Sequence, residues 1–309
     1  MRPAVFARAT LALAAGALSL TALPAPAATR PPVPGAERFG DGWAVPVSTD
    51  GPAWYDAAFH RRVMAAGRQG VRLPAGVPAP QAVGMASTGI RPGTWLVTVT
   101  TDPVGFAWCT ANFVFKKRST YGLGTAGHCA AKDAIGAYPD VTAYVVPPAG
   151  QGAPGFYHIG KFVLSRDNGV GEDFAMISIY PQYASWMNPT MPVWGGPTGV
   201  YTSTAPTVVK HFGHGLVVGT GGTPRAGVAP VWDAVNGKAF AWYGAGLNGD
   251  SGSAVNVATG EGAGNFTHIV LYDEDGEILP GMLAGTKLTY ILKLAKGWTL
   301  VPGSMVPTP

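Results

Sequence analysis

Charge is scarce in this chain: of 309 residues only 12% are Asp, Glu, Lys or Arg, against 47% apolar residues. That balance excludes a chain disordered throughout and suits a globular protein with one large or two modest cores. The formal net charge of +4 is too weak to argue for a nucleic-acid partner. Cysteine is scarcer still, with Cys109 and Cys129 alone, a usage that fits an oxidising destination. Past the first residues no segment reaches the roughly 18 consecutive apolar residues that a membrane span requires. No internal repeat is evident. His211 and His214, three apart on a glycine-rich strand end, lack a third ligand nearby, so neither a metal nor another cofactor is expected. Asn265-Phe266-Thr267 is formally a glycosylation sequon, but it falls in a predicted strand and modification is not expected.

What the chain has in quantity is turn formers. Its 44 glycines and 28 prolines favour many turns between short strands over long helices, and an all-β fold is the expectation. Residues 1–27 read as a signal peptide: Arg2 and Arg8 precede an apolar stretch from Ala9 to Leu23, and Ala25-Pro26-Ala27 offers a small-x-small cleavage site. Cleavage after Ala27 would send the protein out of the cell, with no membrane attachment afterwards and a net charge of +2.

Residues 28–85 read as a pro-region or N-terminal extension. Pro31-Pro32-Val33-Pro34 opens it, and Leu73-Pro74 to Pro80 closes it. Between them Trp54, Tyr55, Phe59 and Val63-Met64 recur near helical spacing, which predicts a helix from Pro52 that ends at Gly67 or Gly70. From Thr94 the pattern changes to short β-branched or aromatic runs separated by Gly, Pro, Asn and Asp. These predict strands at Trp95 to Thr100, Cys109 to Phe115, Thr142 to Val146, Phe174 to Ile179, Thr207 to Lys210, Ala239 to Trp242, Ser253 to Val257 and Phe266 to Leu271. Leu288 to Trp298 returns to helical spacing, and residues 299–309 are a tail.

The chemistry sits in three motifs. Thr125-Ala126-Gly127-His128-Cys129 places a histidine at a strand end beside a half-cystine. About 120 residues later Gly249-Asp250-Ser251-Gly252-Ser253 places a serine in a glycine-bounded turn, and Glu172-Asp173-Phe174-Ala175-Met176-Ile177 puts an acid at the mouth of an apolar run. A serine hydroxyl is a poor nucleophile at neutral pH, so His128 would take its proton and return it to the leaving group. Asp173 would hold the far imidazole nitrogen, and the Gly249 and Ser251 N–H groups would face the oxyanion. The α/β-hydrolase elbow G-x-S-x-G is not met, because position 253 is Ser.

These motifs, in this order, resemble those of secreted bacterial trypsin/chymotrypsin-type serine proteases, over roughly Ser87 to Thr289. The resemblance implies a protease domain at 86–298 made of two six-stranded antiparallel β-barrels, with a C-terminal helix and the triad His128, Asp173 and Ser251 in the cleft between them. It also implies a Cys109–Cys129 bridge, whose closed loop would stabilise the fold by roughly 3 kcal/mol. The base of the primary pocket maps to Ala245 and Gly246, neither of which offers a charge to Arg or Lys. Thr267 maps to a hydroxyl that commonly supports the triad acid, and His268 beside it would either bind an acidic side chain or pack under the barrel. For the buried Asp250 carboxylate, Arg225 and a freed N-terminus are rival partners. Ser253 departs from the family, which more often has glycine there. The activity implied is a serine endopeptidase acting as a monomer on proteins or peptides. Two rival readings are an inactive protease-like secreted binding protein and a secreted carboxylesterase with the same triad.

Overall fold

The computed structural model describes residues 31–77, 79, 88–101, 104–130, 137–215 and 222–306. The expected signal peptide and the 85/86 boundary lie outside the described residues. The strands in chain order are β1 (Glu37–Phe39), β2 (Gly42–Pro46), β3 (Trp95–Thr101), β4 (Val104–Thr110), β5 (Val114–Lys117), β6 (Thr120–Thr125), β7 (Asp140–Val145), β8 (Gly155–Asp167), β9 (Asp173–Ile179), β10 (Val208–Gly213), β11 (Thr223–Asp233), β12 (Ala239–Gly244), β13 (Ala254–Val257), β14 (Gly262–Tyr272), β15 (Ile278–Lys287) and β16 (Thr299–Leu300).

They form two eight-stranded antiparallel sheets, and the fold is all-β. One sheet runs β16-β5-β6-β9-β8-β7-β3-β4 and the other β1-β2-β14-β13-β10-β11-β12-β15, with β14 also paired to β15. In the second, the pairings of β10 to β15 therefore return on themselves. In the first, β4 ends the ladder on one side, while β5, paired to β6 and β16, lies next to the other end, although β4 and β5 are consecutive in the chain across Ala111, Asn112 and Phe113. The single strand expected over Cys109 to Phe115 is divided here because its backbone turns to other partners. Thr110 N–H donates to the Ser251 carbonyl at 2.7 Å, and Asn112 N–H to Gly124 at 2.7 Å.

Each sheet encloses an apolar core. Leu96, Val114, Leu123, Val141, Ile159, Phe162 and Ile177 fill the first. Val209, Trp232, Phe240, Trp242, Val255, Phe266 and Leu283 fill the second. Between them lies a third cluster with Phe113, Phe115, Phe174, Met176 and Phe212, which the helix Leu288–Leu294 covers through Leu288 and Ile291. Burying side chains of this size contributes about 1.5–3 kcal/mol each before the entropy of ordering them is counted.

The N-terminal helix is shorter than its periodicity predicts, Ala57–Ala66, because Asp56 caps it by accepting from Phe59 N–H. Phe59 and Val63, one turn apart, face inward. Trp54 and Tyr55 precede the cap and still join the aromatic cluster of Trp95, Trp108 and Phe156. Residues before the helix do not stay apart from the sheets. β2 adds antiparallel to β14, with Pro46 opposite His268 and Val45 opposite Ile269.

Candidate active site

His128 follows β6 in a short 3-10 turn, Gly127–Cys129, and Asp173 opens β9, so neighbouring strands of one sheet carry both. Ser251 lies in the turn before β13 of the other sheet. Gly252, at φ 87, brings the halves together: a Cβ there would lie 2.2 Å from Thr125 Oγ1 and 2.6 Å from Ala126 N. Only glycine allows that approach, and it sets the Ser251 turn against the strand end that bears the histidine.

The three side chains are in line. His128 Nδ1 is 2.6 Å from Asp173 Oδ2, and His128 Nε2 is 2.6 Å from Ser251 Oγ. The second Asp173 oxygen accepts from the Gly127 and His128 backbone N–H groups. Its backbone is anchored by the other sheet, since Asn265 Nδ2 and Thr286 Oγ1 both donate to the Asp173 carbonyl, at 3.0 and 3.1 Å. Burial works to lower the His128 pKa. The adjacent Asp173 carboxylate and its hydrogen bond more than offset that and raise it above 6.5. Burial works to raise Asp173, and His128 holds it below 3.8 instead.

The Gly249–Gly252 turn is fixed from below. Asp250 is fully buried, accepts from Gly215 and Leu247 N–H at 2.8 Å each, and pairs with the Arg225 guanidinium at 2.6 Å. Of the two partners open from sequence, Arg225 is the one in place. Thr110, which sequence reasoning missed, donates through Oγ1 to the Gly249 carbonyl at 2.8 Å. A threonine one residue after a half-cystine carries no signal of that role.

Other expected residues fall as follows. Cys109 and Cys129 are bonded, tying β4 to the histidine turn. The Thr267 hydroxyl lies 2.7 Å from His268 Nδ1 and does not reach Asp173; the hydroxyl that meets Asp173 is that of Thr286, at its backbone. His268 Nε2 lies 2.9 Å from Glu37 Oε2, so its acidic partner belongs to β1. The hydroxyl of Ser253 lies 3.3 Å from His211 Nδ1. The far nitrogen of that ring is 2.9 Å from the Ala245 carbonyl, beneath the expected pocket base. Gly246 packs on Phe266 and Leu283: a Cβ there would meet the Phe266 ring at 2.5 Å. His214 stacks on Trp95, and burial pushes its pKa down to about 4. His211 and His214 are thus both engaged in the packing around the site.

Ser251 itself is fully buried. Chain segment Val45–Thr49 crosses over it. Val47 N–H donates to Thr267 O at 2.9 Å, Ser251 Oγ lies 3.1 Å from Val47 O, Gly249 N–H donates to Ser48 O at 3.0 Å, and Trp108 N–H to Thr49 O at 2.8 Å.

No protein-family model matches this sequence, and no curated protein matches it. Among solved structures the chain is similar to Protease A of Thermobifida fusca, at 15% identity over 72% of this chain and 99% of that one, with a TM-score of 0.43. It is similar to a Cellulomonas bogoriensis chymotrypsin at 16% identity over 69% and 99%, TM-score 0.42. A glutamic acid specific serine protease that uses a histidine triad in substrate binding is similar at 15% identity over 69% and 100%, TM-score 0.44. At such identities and TM-scores these likenesses bear on neither the chemistry nor the substrate of this chain.

Proposed function

We propose that the protein is a serine endopeptidase that hydrolyses peptide bonds through His128, Asp173 and Ser251. One observation carries the reading: the unbroken line from Asp173 Oδ2 through the imidazole to Ser251 Oγ, with both contacts at 2.6 Å. In the reaction, Ser251 Oγ attacks the substrate carbonyl as its proton passes to His128 Nε2. Asp173 keeps the other proton on Nδ1 and stabilises the imidazolium. The carbonyl oxygen, now an anion, takes the Gly249 and Ser251 N–H groups, which Asp250, Arg225 and Thr110 hold in place. His128 then gives its proton to the departing amine, and water repeats the sequence in reverse to free the acid.

Export through the 1–27 leader and a monomeric state belong to the same reading, with residues 28–85 as the segment that delays activity. Among the described residues no helix is long and apolar enough to cross a membrane. The pocket around Ala245 and Gly246 favours apolar side chains over Arg and Lys, because neither residue offers a counter-ion to a cation that has lost its water. Labelling by a fluorophosphonate, located by peptide mass spectrometry in a Val47→Asp chain whose cover over Ser251 is displaced, tests the nucleophile: mass added at Ser251 alone, and lost in His128→Ala, is the expected result. Absence of mass at Ser251 argues for an inactive binding protein, and mass at Ser251 irrespective of His128 removes His128 as its base. Casein turned over against a short-chain ester distinguishes the endopeptidase from a carboxylesterase.

A further inference from the structure

The active-site serine of a peptidase has to meet solvent-borne substrate, yet Ser251 has no exposed surface, and what covers it is the chain's own segment Val45–Thr49. The segment lies as an added antiparallel strand. Val45 and Pro46 continue the β2–β14 ladder, and Val47 donates its N–H to Thr267 O at 2.9 Å. On the far side of Ser251, the Thr49 carbonyl accepts from Trp108 N–H at 2.8 Å. Extended peptides bind sheet edges in this way, main-chain bonds supplying affinity and alternate side-chain pockets supplying selectivity.

We propose that Val45–Thr49 is the chain's resident ligand for its own cleft: it holds the intact protein latent, and it marks the substrate class as peptides with a short β-branched aliphatic residue, preceded by proline, on the acyl side of the cleaved bond. This deepens the endopeptidase reading and rests on it. The residue whose carbonyl faces Ser251 Oγ is Val47, and its side chain is 1% exposed within the cluster of Phe266, Leu283 and Trp242. Phe266 and Leu283 also back Gly246, so the pocket is closed by apolar groups a short distance in and takes a valine-sized branch.

Two features keep the resident strand from being cut. The Gly249 N–H, which an anion on the Val47 carbonyl would need, is given to Ser48 O at 3.0 Å. The Ser251 hydroxyl has a single proton. Donated to Val47 O, it is withheld from His128, whose Nε2–H then donates to Ser251 Oγ, the arrangement of an imidazolium held by Asp173. The bound strand thus holds the nucleophile's proton on the wrong partner.

The test begins with the unmodified protein. In hydrogen exchange, the Val47 and Gly249 amides should open together, about 100-fold or more slower than unprotected amides. Exchange of either at the unprotected rate overturns the proposal, whatever any variant does. Val47→Asp places a carboxylate in an apolar cluster, expels the strand, and should raise the rate of Ser251 fluorophosphonate labelling at least ~10-fold. Added hexapeptide Ala-Val-Pro-Val-Ser-Thr should suppress the gain, and the hexapeptide with Asp in place of its second Val should not. Labelling of Ser251 at one and the same measurable rate in wild type and Val47→Asp overturns the proposal. Fluorescein-labelled hexapeptide binding to Val47→Asp/Ser251→Ala, read by anisotropy, separates the two readings. Binding by that variant, with Ser251 inert in Val47→Asp, leaves the occupancy standing and removes the peptidase. Labelling without binding does the reverse.

Discussion

The Arg225 guanidinium lies 2.6 Å from a carboxylate oxygen of Asp250, and the carboxylate has no exposed surface. Because Asp250 sits between Gly249 and Ser251, this pair fixes the turn from which the Ser251 hydroxyl and the backbone N–H groups proposed to hold the oxyanion project. No newly freed N-terminus is required to complete that turn.

Arg225→Met should therefore strand a buried charge and destabilise the protein by about 3–5 kcal/mol, the usual effect of breaking such a pair from one side. Arg225→Met/Asp250→Asn should recover much of the loss. Urea unfolding measures both. A single variant as stable as wild type would mean that the turn has another support.

His128 and Ser251 should behave as one unit. In the Val47→Asp chain, adding Ser251→Ala or His128→Ala should each remove most peptide hydrolysis, and adding both should cost little more than either. Losses that multiply in kcat/KM would contradict a shared step.

The pH response follows from the shared proton. His128 is held above 6.5 by Asp173 against the opposing effect of burial, so its stability contribution is complete below about 6.5 and is lost as pH rises through the folded value. Asp173 is held below 3.8, so its contribution is present above about 3.8 and is lost as pH falls through its own folded value. General-base action needs the neutral ring, and kcat/KM of the opened chain should rise with pH with a midpoint above 6.5. Asp173→Asn should move the His128 midpoint down, as followed by imidazole NMR. An unchanged midpoint would exclude Asp173 as the cause.

The Cys109–Cys129 bridge closes a loop of 20 residues around β5 and β6. Alkylation of the denatured chain should modify neither cysteine until reductant is added. Cys109→Ala/Cys129→Ala should lose about 3 kcal/mol on the chain-entropy account, with the loss concentrated in protection of the histidine turn. Thiol labelling without reductant would show that the cysteines are not paired in the protein as made.

Much of the fold was legible because short β-branched runs such as Trp95–Thr101 and Asp173–Ile179 carry their strand signal locally. β1 and β16, three and two residues long, are too short to carry a pattern, and the longer strands that sequence reasoning passed over have glycine or proline inside. Thr120–Thr125 holds two glycines, Thr223–Asp233 holds two prolines and a glycine, and Ile278–Lys287 holds a proline and two glycines. Tertiary pairing overrides local propensity there. That His128, Asp173 and Ser251 lie together was readable from motif order. Thr286 and Thr110 were not, since each acts through one hydroxyl across a sheet boundary. Nor was Val47, whose residue type says only that it is apolar; its position over Ser251 comes from a pairing across 204 residues.

That separation has a consequence for how the molecule comes into being. Val47 leaves the ribosome 204 residues ahead of Ser251, and β14, the strand that receives it, is finished later still. Chains form domains from contacts as they become available. The cover is thus made before the thing it covers, and the cleft can assemble around its occupant.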